Sequence, residues 1–229
     1  MNTPSEHTVN TPFEPAVTGR LEPAVTGLRT HDLVRLAGVG TDACTGAAPA
    51  WVAESLARTP WAVVRRGTAA RGHLPVGVRG PERHQRHATE VPVHSVLDVV
   101  GPEELRCGAG PADRTPALAA LRALQPALDG LGPGWGPVGG AGFELATGQP
   151  VTTAASDLDV IVRCDPLPGT DWAAALLEAF RGVPVRVDCL IETPAGAVAA
   201  AELASGADRV VLRTARGACL IVPARIRGT

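Results

Sequence analysis

The sequence contains no lysine and no tyrosine, and only three phenylalanines and four tryptophans occur among its 229 residues. All 21 basic residues are therefore arginines, which excludes a catalytic lysine base and Schiff-base chemistry. The formal net charge is -2, so a bulk electrostatic attraction to DNA or RNA is not indicated, and few rings are present to stack on bases. We therefore expect no nucleic-acid partner.

Long apolar runs and regularly spaced cysteines are also missing. No segment approaches the roughly 20 apolar residues of a membrane span, and the N-terminus lacks the basic region and apolar core of a signal peptide. The five cysteines are odd in number and have no metal-type spacing. We expect a protein of the reducing cytoplasm with no membrane attachment.

Composition and punctuation predict three regions. The apolar content of 45% and charged content of 19% are typical of a chain with a globular core. Residues 1–27 are polar, contain a short duplication and are predicted to be a disordered leader. A smaller N-terminal α+β domain is predicted over 28–110, and a second domain over 115–229. Residues 108–114, rich in glycine and proline, are the expected linker.

The second half of the chain alternates strand-like and helix-like segments. Strands are predicted near 156–163, 184–191 and 209–222, the last as a hairpin. Helices are predicted after Thr115, after Thr170 and after Thr193, the third running to about Ser205. This order predicts a mixed sheet with helices packed on it.

Two aspartates lie two residues apart in the first of these strands. Asp157 and Asp159 therefore project from the same side of the strand, and their repulsion has to be offset. The commonest partner of such a pair is Mg²⁺ or Mn²⁺, which take oxygen ligands. An isolated Asp-Leu-Asp is common, so the pair gains significance only from its neighbours in the chain.

Two further features accompany the aspartate pair. Asp188 lies at the centre of the next strand-like run and becomes a third metal ligand if that strand is adjacent; its alternative is an ion pair with Arg186. Gly139 and Gly140 precede the pair and allow backbone N–H groups to approach phosphate, although they also suit an ordinary turn. Glycine segment, paired aspartates and later aspartate are the order found in nucleotidyl-transferring sites of the polymerase-β type.

More specific runs extend this pattern. The segment 135–148, together with 156–159, resembles the malonate decarboxylase holo-acyl-carrier-protein synthase family, whose members are phosphoribosyl-dephospho-CoA transferases. Segments 31–33, 74–80 and 186–199 also match the family pattern, so that the resemblance covers roughly residues 29–222. The sequence departs from many members at Gly140, where they have serine.

The resemblance implies a polymerase-β-like nucleotidyltransferase fold and a defined reaction. The donor is 2'-(5''-triphosphoribosyl)-3'-dephospho-CoA, the acceptor is a serine of the apo acyl-carrier subunit of malonate decarboxylase, and pyrophosphate is released. Asp157 and Asp159 carry the catalytic role, with Mg²⁺ or Mn²⁺ held by them and by Asp188. We expect Gly139, Gly140 and Ser156 to contact the substrate.

Arginines of the first half suit the phosphates of such a donor, because guanidinium binds phosphate bidentately. Arg79 is the first choice since it lies in the matching segment 74–80, and Arg65 is the second. Arg66, Arg83 and Arg86 are further candidates. For any one of them, a solvated basic surface is the alternative.

Two other functions stay open. One is a nucleotidyltransferase of the same fold that acts on another small molecule or protein with an ordinary nucleoside triphosphate. The other is a degenerate, non-enzymatic binding module. The presence of all three carboxylates argues against degeneration, and the run 135–148 favours the family named above.

Overall fold

The structure, a computed structural model, describes residues 27–37, 48–106 and 114–226. Within these ranges the chain forms eleven β-strands and five α-helices, and the strands belong to two sheets. The α+β class and the mixed sheet with flanking helices are confirmed. Almost all of the leader predicted over 1–27 and of the linker predicted over 108–114 lies outside the described residues, and the division into two domains stays a prediction.

The first sheet is antiparallel, with the strand order β4-β3-β2-β1-β5. Its strands and the helix inserted after the first of them are β1 (Leu33–Leu36), α1 (Ala50–Arg58), β2 (Trp61–Val64), β3 (His73–Arg79), β4 (Arg86–Pro92) and β5 (Val96–Val100).

The two faces of this sheet have different partners. Alternate residues such as Val34 and Val76 are fully buried in a cluster with Val52 and Leu56 of α1, as expected of a period-two pattern. The opposite face contributes Trp61 to a separate cluster that includes residues of the second half. The rest of that opposite face is free to line a cleft.

The second sheet is mixed, with the order β11-β10-β9-β8-β7-β6, and β7 and β8 are parallel whereas the other pairs are antiparallel. Its strands are β6 (Gly134–Pro137), β7 (Leu158–Arg163), β8 (Val187–Thr193), β9 (Gly196–Ala199), β10 (Val210–Thr214) and β11 (Gly217–Ile221). The accompanying helices are α2 (Pro116–Asp129), α3 (Gly139–Thr147), α4 (Thr170–Phe180) and α5 (Ala200–Ala204).

One face of β7 forms the centre of the larger core. Leu158, Val160 and Val162 are at most 1% exposed and pack in one cluster with apolar residues of the helices, such as Leu121 and Leu176. Because side chains alternate along a strand, Asp159 projects from the opposite side. The prediction that Leu158, Val160 and Val162 share one face of this strand, with Asp159 on the other, is confirmed.

The helix predicted from Thr193 to about Ser205 is wrong over its first half. Thr193 and Gly196 close a tight hairpin between β8 and β9, in which the Thr193 hydroxyl donates to the Gly196 carbonyl at 3.0 Å. Gly196 has a φ of 144°, and Val198 is fully buried in the larger core. Strand pairing on both sides of β9 overrides the helical propensity of this alanine-rich segment, and only α5 remains helical.

Buried ion pairs connect the two sheets. Arg163, at the end of β7, donates two 2.7 Å hydrogen bonds to Glu103 and further bonds to Asp32 at 3.3 Å and Glu192 at 3.1 Å. Arg66 donates to the other oxygen of Glu192 at 2.6 Å. Since Asp32 and Arg66 belong to the first sheet's part of the chain, this network fixes the two sheets against each other. No described helix is long and apolar enough to cross a lipid bilayer.

Candidate active site

The parallel pairing of β7 and β8 brings the predicted carboxylates together. Asp159 and Asp188 are directly aligned in the two strands, and Asp157 lies one residue before β7 begins. The condition set by the sequence, an adjacent strand with its aspartate on the same side, is therefore met. Asp159 is partly buried, whereas Asp188 is exposed.

The three carboxylates repel one another. Burial raises the pKa of Asp159, and the charges of Asp188 and Asp157 raise it further; Arg83 and Arg186 oppose this rise only in part. Among the described residues, no hydrogen bond or ion pair to the Asp159 carboxylate is formed. Within the described part of the chain, the Asp159 carboxylate is therefore partly buried beside two other carboxylates and has no directly bonded cation.

The other two carboxylates have arginine neighbours. Arg186 donates to one oxygen of Asp188 at 2.9 and 3.1 Å, which is the alternative pairing that the sequence left open. Arg83 lies 3.9 Å from Asp157 in an exposed ion pair. Both arginines are largely exposed, so both pairs can exchange with a ligand at modest cost.

The three carboxylates are the type of donor that binds a divalent cation. Carboxylate oxygens are what Mg²⁺ and Mn²⁺ prefer, and a cation would relieve the repulsion at Asp159. In their present rotamers, however, no three His, Cys, Asp or Glu side chains of the described residues form a metal-binding group. Asp188 in particular would have to release Arg186. Asp157 and Asp159 are the residues that would hold the metal first, and its role would be to neutralise phosphate charge.

The glycine segment forms the start of a helix and not only a loop. Gly139 and Gly140 are the first residues of α3, and the residue before them, Val138, is bonded through its N–H to the Asp159 carbonyl at 2.9 Å. The first turn of α3 therefore lies beside the aspartates, and helix N-termini with free N–H groups are anion-binding sites. This agrees with the expected phosphate cradle, whose contact with substrate stays a prediction.

Three of the five predicted arginines, Arg79, Arg65 and Arg86, line a cavity of about 920 Å³ together with this helix start. Arg66 and Arg83 do not line it; Arg66 is paired with Glu192 and Arg83 with Asp157. Gly139, Gly140 and Asp159 line the cavity as well. The Arg65 side chain passes over Gly77, where its Cδ is 3.2 Å from the place of a Cβ. The cavity thus has one wall from each sheet, with arginines facing carboxylates.

Ser156 and its neighbour Asp157 are not among the residues that line the cavity, unlike Asp159, Asp188, Gly139 and Gly140. The Ser156 hydroxyl accepts a hydrogen bond from the Thr153 N–H at 2.9 Å in the turn before β7. Its position suits a role in shaping the approach to Asp157. Contact of Ser156 with substrate stays a prediction.

Glu144, for which the sequence analysis predicted no role, connects α3 to the segment that precedes the aspartate strand. Its carboxylate is buried and accepts hydrogen bonds from Arg114 at 2.5 and 2.8 Å and from the Thr152 N–H at 2.8 Å. The Thr152 hydroxyl and the Val151 N–H donate to it as well. These bonds, those of Arg114 foremost, hold the pKa of Glu144 below its usual value despite burial. The sequence signal that could have identified Glu144 is an acidic residue among the apolar residues of 143–146.

His31, in the segment 31–33 that matches the family pattern, lines the cavity as well. Its φ of 73° lies in the left-handed region, which is uncommon for a residue with a side chain. Burial lowers its pKa to about 4, with Arg66 and Arg163 acting in the same direction and Glu192 against it. His31 is therefore a neutral imidazole at neutral pH.

Comparison with known proteins identifies the chain as an enzyme, and among enzymes as a transferase. The family model described as "Phosphoribosyl-dephospho-CoA transferase MdcG C-terminal domain" matches residues 105–224, and the corresponding N-terminal model matches residues 29–102. The chain belongs to this family, and the resemblance seen in the sequence is confirmed.

Individual relatives agree with the family models. The phosphoribosyl-dephospho-CoA transferase of Azotobacter vinelandii is 46% identical over 195 residues, which are 83% of this chain and 91% of the relative. Those of Pseudomonas fluorescens (strain Pf0-1) and Pseudomonas aeruginosa are 42% and 40% identical, with 83% of this chain covered in both and 91% and 90% of the relatives. No solved structure matches the chain.

Proposed function

We propose that this enzyme transfers the 2'-(5''-phosphoribosyl)-3'-dephospho-CoA group from its triphosphate precursor to a serine of the apo acyl-carrier subunit of malonate decarboxylase, with release of pyrophosphate. The observation that carries the proposal is the alignment of Asp159 with Asp188 beside Asp157 and the first turn of α3. The family supports a phosphoribosyl-dephospho-CoA substrate. A polymerase-β-like nucleotidyltransferase fold and a cytoplasmic location belong to the same proposal.

The arrangement suits a substitution at the α-phosphorus of the donor. The serine Oγ forms a bond to this phosphorus, and the bond from phosphorus to the bridging oxygen of the terminal diphosphate breaks. The leaving pyrophosphate keeps the electron pair, and the serine proton passes to one carboxylate of the pair Asp157 and Asp159. Mg²⁺ or Mn²⁺ held by this pair and Asp188 would supply charge neutralisation for the entering and leaving oxygens.

The two walls of the cavity have separate tasks in this proposal. Gly139 and Gly140 at the start of α3 receive phosphate oxygens through backbone N–H groups, and Arg79 and Arg65 approach the donor from the first sheet. A donor as long as triphosphoribosyl-dephospho-CoA needs more surface than a triphosphate alone, which a cavity between two sheets provides.

The test is the intact mass of the apo acyl-carrier subunit after incubation with the enzyme, triphosphoribosyl-dephospho-CoA and Mg²⁺. We expect the carrier to gain the mass of one phosphoribosyl-dephospho-CoA group, and a carrier with its acceptor serine replaced by alanine to gain none. Asp157→Asn and Asp159→Asn should lower the rate at least about 100-fold. Asp208→Asn is the matched control, because Asp208 is exposed and does not line the cavity.

Two results would contradict the proposal. If the folded wild-type enzyme leaves a competent carrier unmodified, the reaction is a different one, and pyrophosphate release from ordinary nucleoside triphosphates is the next assay. If the mass gain persists at full rate in both asparagine variants, the donor is right and the aspartates are not the catalytic residues.

A further inference from the structure

Two arginines of the first sheet face the cavity as direct neighbours. Arg79 ends β3, Arg86 begins β4, and the two are aligned across the antiparallel pair. Aligned residues on neighbouring strands project from the same face of a sheet, and both line the cavity. Arg83 lies in the connection between the strands, and besides burial its positive charge lowers the pKa of both arginines.

The two guanidinium groups lie side by side without a directly bonded carboxylate among the described residues, although, against the effect of burial, the charges of Asp159 and Glu144 raise the pKa of Arg79 in part. Neither Arg79 nor Arg86 forms an ion pair within the described part of the chain, and Arg86 donates only to the Gln85 carbonyl at 2.9 Å. Burial together with Arg86 and Arg83 lowers the pKa of Arg79 to about 10, and burial together with Arg83 lowers the pKa of Arg86. Like charges opposite each other destabilise a sheet, so the pair is expected to bind an anion.

The position of Arg79 specifies which part of the donor this anion is. Its guanidinium nitrogens lie 3.8 and 4.0 Å from the place of a Cβ on Gly140, and Gly139 contacts Asp159. Arg79 therefore lies beside Gly140 at the start of α3, next to the residue that approaches Asp159, and Arg86 lies beside Arg79 on the neighbouring strand. If the α-phosphorus reacts beside the aspartates, the next two phosphates lie toward the arginines.

We propose that Arg79 and Arg86 together bind the terminal diphosphate of the donor, the part that leaves as pyrophosphate. Two guanidinium groups offer planar, bidentate donors to neighbouring phosphate groups, and the charge on this diphosphate grows as its bond to the α-phosphorus breaks. The assignment rests on the proposed function, since it takes the triphosphate donor from there. It adds Arg86 to the residues that contact the reacting substrate.

A second diphosphate exists in the same donor, inside its dephospho-CoA part, and the test has to separate the two. We would measure by calorimetry the affinity of the full-length protein for inorganic pyrophosphate and for 3'-dephospho-CoA, each with Mg²⁺. The variants are Arg79→Gln, Arg86→Gln and Arg86→Lys. The matched control is Arg71→Gln, an exposed arginine close before β3 that does not line the cavity.

We expect Arg79→Gln and Arg86→Gln to weaken pyrophosphate binding at least about 10-fold, the usual effect of losing a charge-assisted hydrogen bond. Arg86→Lys should recover part of the loss, Arg71→Gln should change little, and dephospho-CoA affinity should stay within about 2-fold of wild type. Circular dichroism and thermal melting establish that each variant is folded; Arg86, being exposed at the rim, is the safer substitution.

The proposal is overturned if Arg86→Gln binds pyrophosphate like wild type, or if both arginine variants lose dephospho-CoA and pyrophosphate affinity equally. The second result would show that the arginines do not distinguish the leaving diphosphate from the internal one. Failure of the proposed function has a different signature. In that case the wild type transfers nothing to the carrier, whereas pyrophosphate binding and its dependence on Arg86 are still measured independently of turnover.

Discussion

The carboxylate of Asp159 occupies the space that a side chain at Gly139 would need. A Cβ at this position would overlap Asp159, and the backbone of Gly139 has a φ of 60°. Both facts require glycine here, because a left-handed backbone is strained for other residues. The start of α3 and the aspartate strand therefore approach each other closely at Gly139.

Gly139→Ala should lower the transfer rate at least about 100-fold, since the added methyl group displaces either Asp159 or the first turn of α3. Gly140→Ala is the matched control. A Cβ at Gly140 meets Thr152 Cγ2 at 3.5 Å and Arg79 at 3.8 Å, which are ordinary contacts. We expect Gly140→Ala to keep most of the activity. Equal losses of activity in Gly139→Ala and Gly140→Ala would contradict the close approach of Asp159 to Gly139.

Asp159→Asn should stabilise the metal-free protein while it removes activity. Burial and two neighbouring aspartates raise the pKa of Asp159 in the folded state, so at neutral pH the ionised form opposes folding. Neutralising it removes that cost, and we expect a rise in Tm on the order of 2 °C. Thermal melting in EDTA measures this, with Asp208→Asn as control. A fall in Tm would mean that Asp159 is stabilised by a partner in the folded protein.

Glu144→Gln should destabilise the protein and reduce activity, although Glu144 itself is not expected to contact the substrate. The carboxylate accepts from Arg114, Thr152 and Val151, and an amide cannot accept all of these bonds. We expect a loss of about 3 kcal/mol in the free energy of unfolding. Because the network fixes α3 against the segment before β7, kcat should fall more than KM rises.

A double-mutant cycle separates this network from general destabilisation. Arg114→Gln and the double variant should show a coupling energy with Glu144→Gln of at least about 1 kcal/mol. Additive losses in the urea midpoint would show that Arg114 and Glu144 act independently.

Acid should destabilise the protein in part through His31. Its pKa is about 4 in the folded state, against 6.5 for an unperturbed histidine, so between these values the unfolded chain binds more protons. The contribution of His31 is complete above pH 6.5 and is lost as the pH falls toward 4, up to about 3 kcal/mol. Burial raises the pKa of Asp32, so its contribution to the free energy of unfolding increases as the pH falls, opposite in sign to that of His31.

The variant His31→Asn isolates this contribution, because asparagine tolerates a left-handed backbone. Urea unfolding between pH 4 and 7.5 should show a smaller pH slope for His31→Asn than for wild type. His94→Asn, a change at an exposed histidine, should leave the slope unchanged. The same slope in His31→Asn and wild type would show that His31 is not the titrating group.

Strand periodicity predicted the side of the strand from which Asp159 projects, but the adjacency of the Asp188 strand was only a condition, which the structure meets. Alternation placed Leu158 in the core and Asp159 outside it, and parallel pairing of β7 with β8 then aligned Asp159 with Asp188. The choice of Arg79 as a candidate came from the family resemblance and from no local pattern, and its place beside Gly140 came only from the structure. Such predictions succeed where one physical rule acts over a few neighbouring residues.

What the sequence did not reveal depends on partners far apart in the chain. Glu144 and Arg114 are 30 residues apart, and Arg163 and Asp32 are 131 apart. The helix predicted after Thr193 was wrong for a related reason, since β9 is held by strands on both sides of it. Local propensity contains no information on any of these contacts.

In the proposed reaction, a triphosphate donor loses pyrophosphate at the aspartates while its remainder is joined to the carrier. The most direct measurement follows both products together, the pyrophosphate by a coupled assay and the carrier by intact mass, with triphosphoribosyl-dephospho-CoA or ATP as donor. We expect one pyrophosphate per modified carrier with the first donor and neither product with ATP, and we expect Asp159→Asn to form neither product with either donor. Pyrophosphate release from ATP, or carrier modification without pyrophosphate, would contradict the proposed reaction.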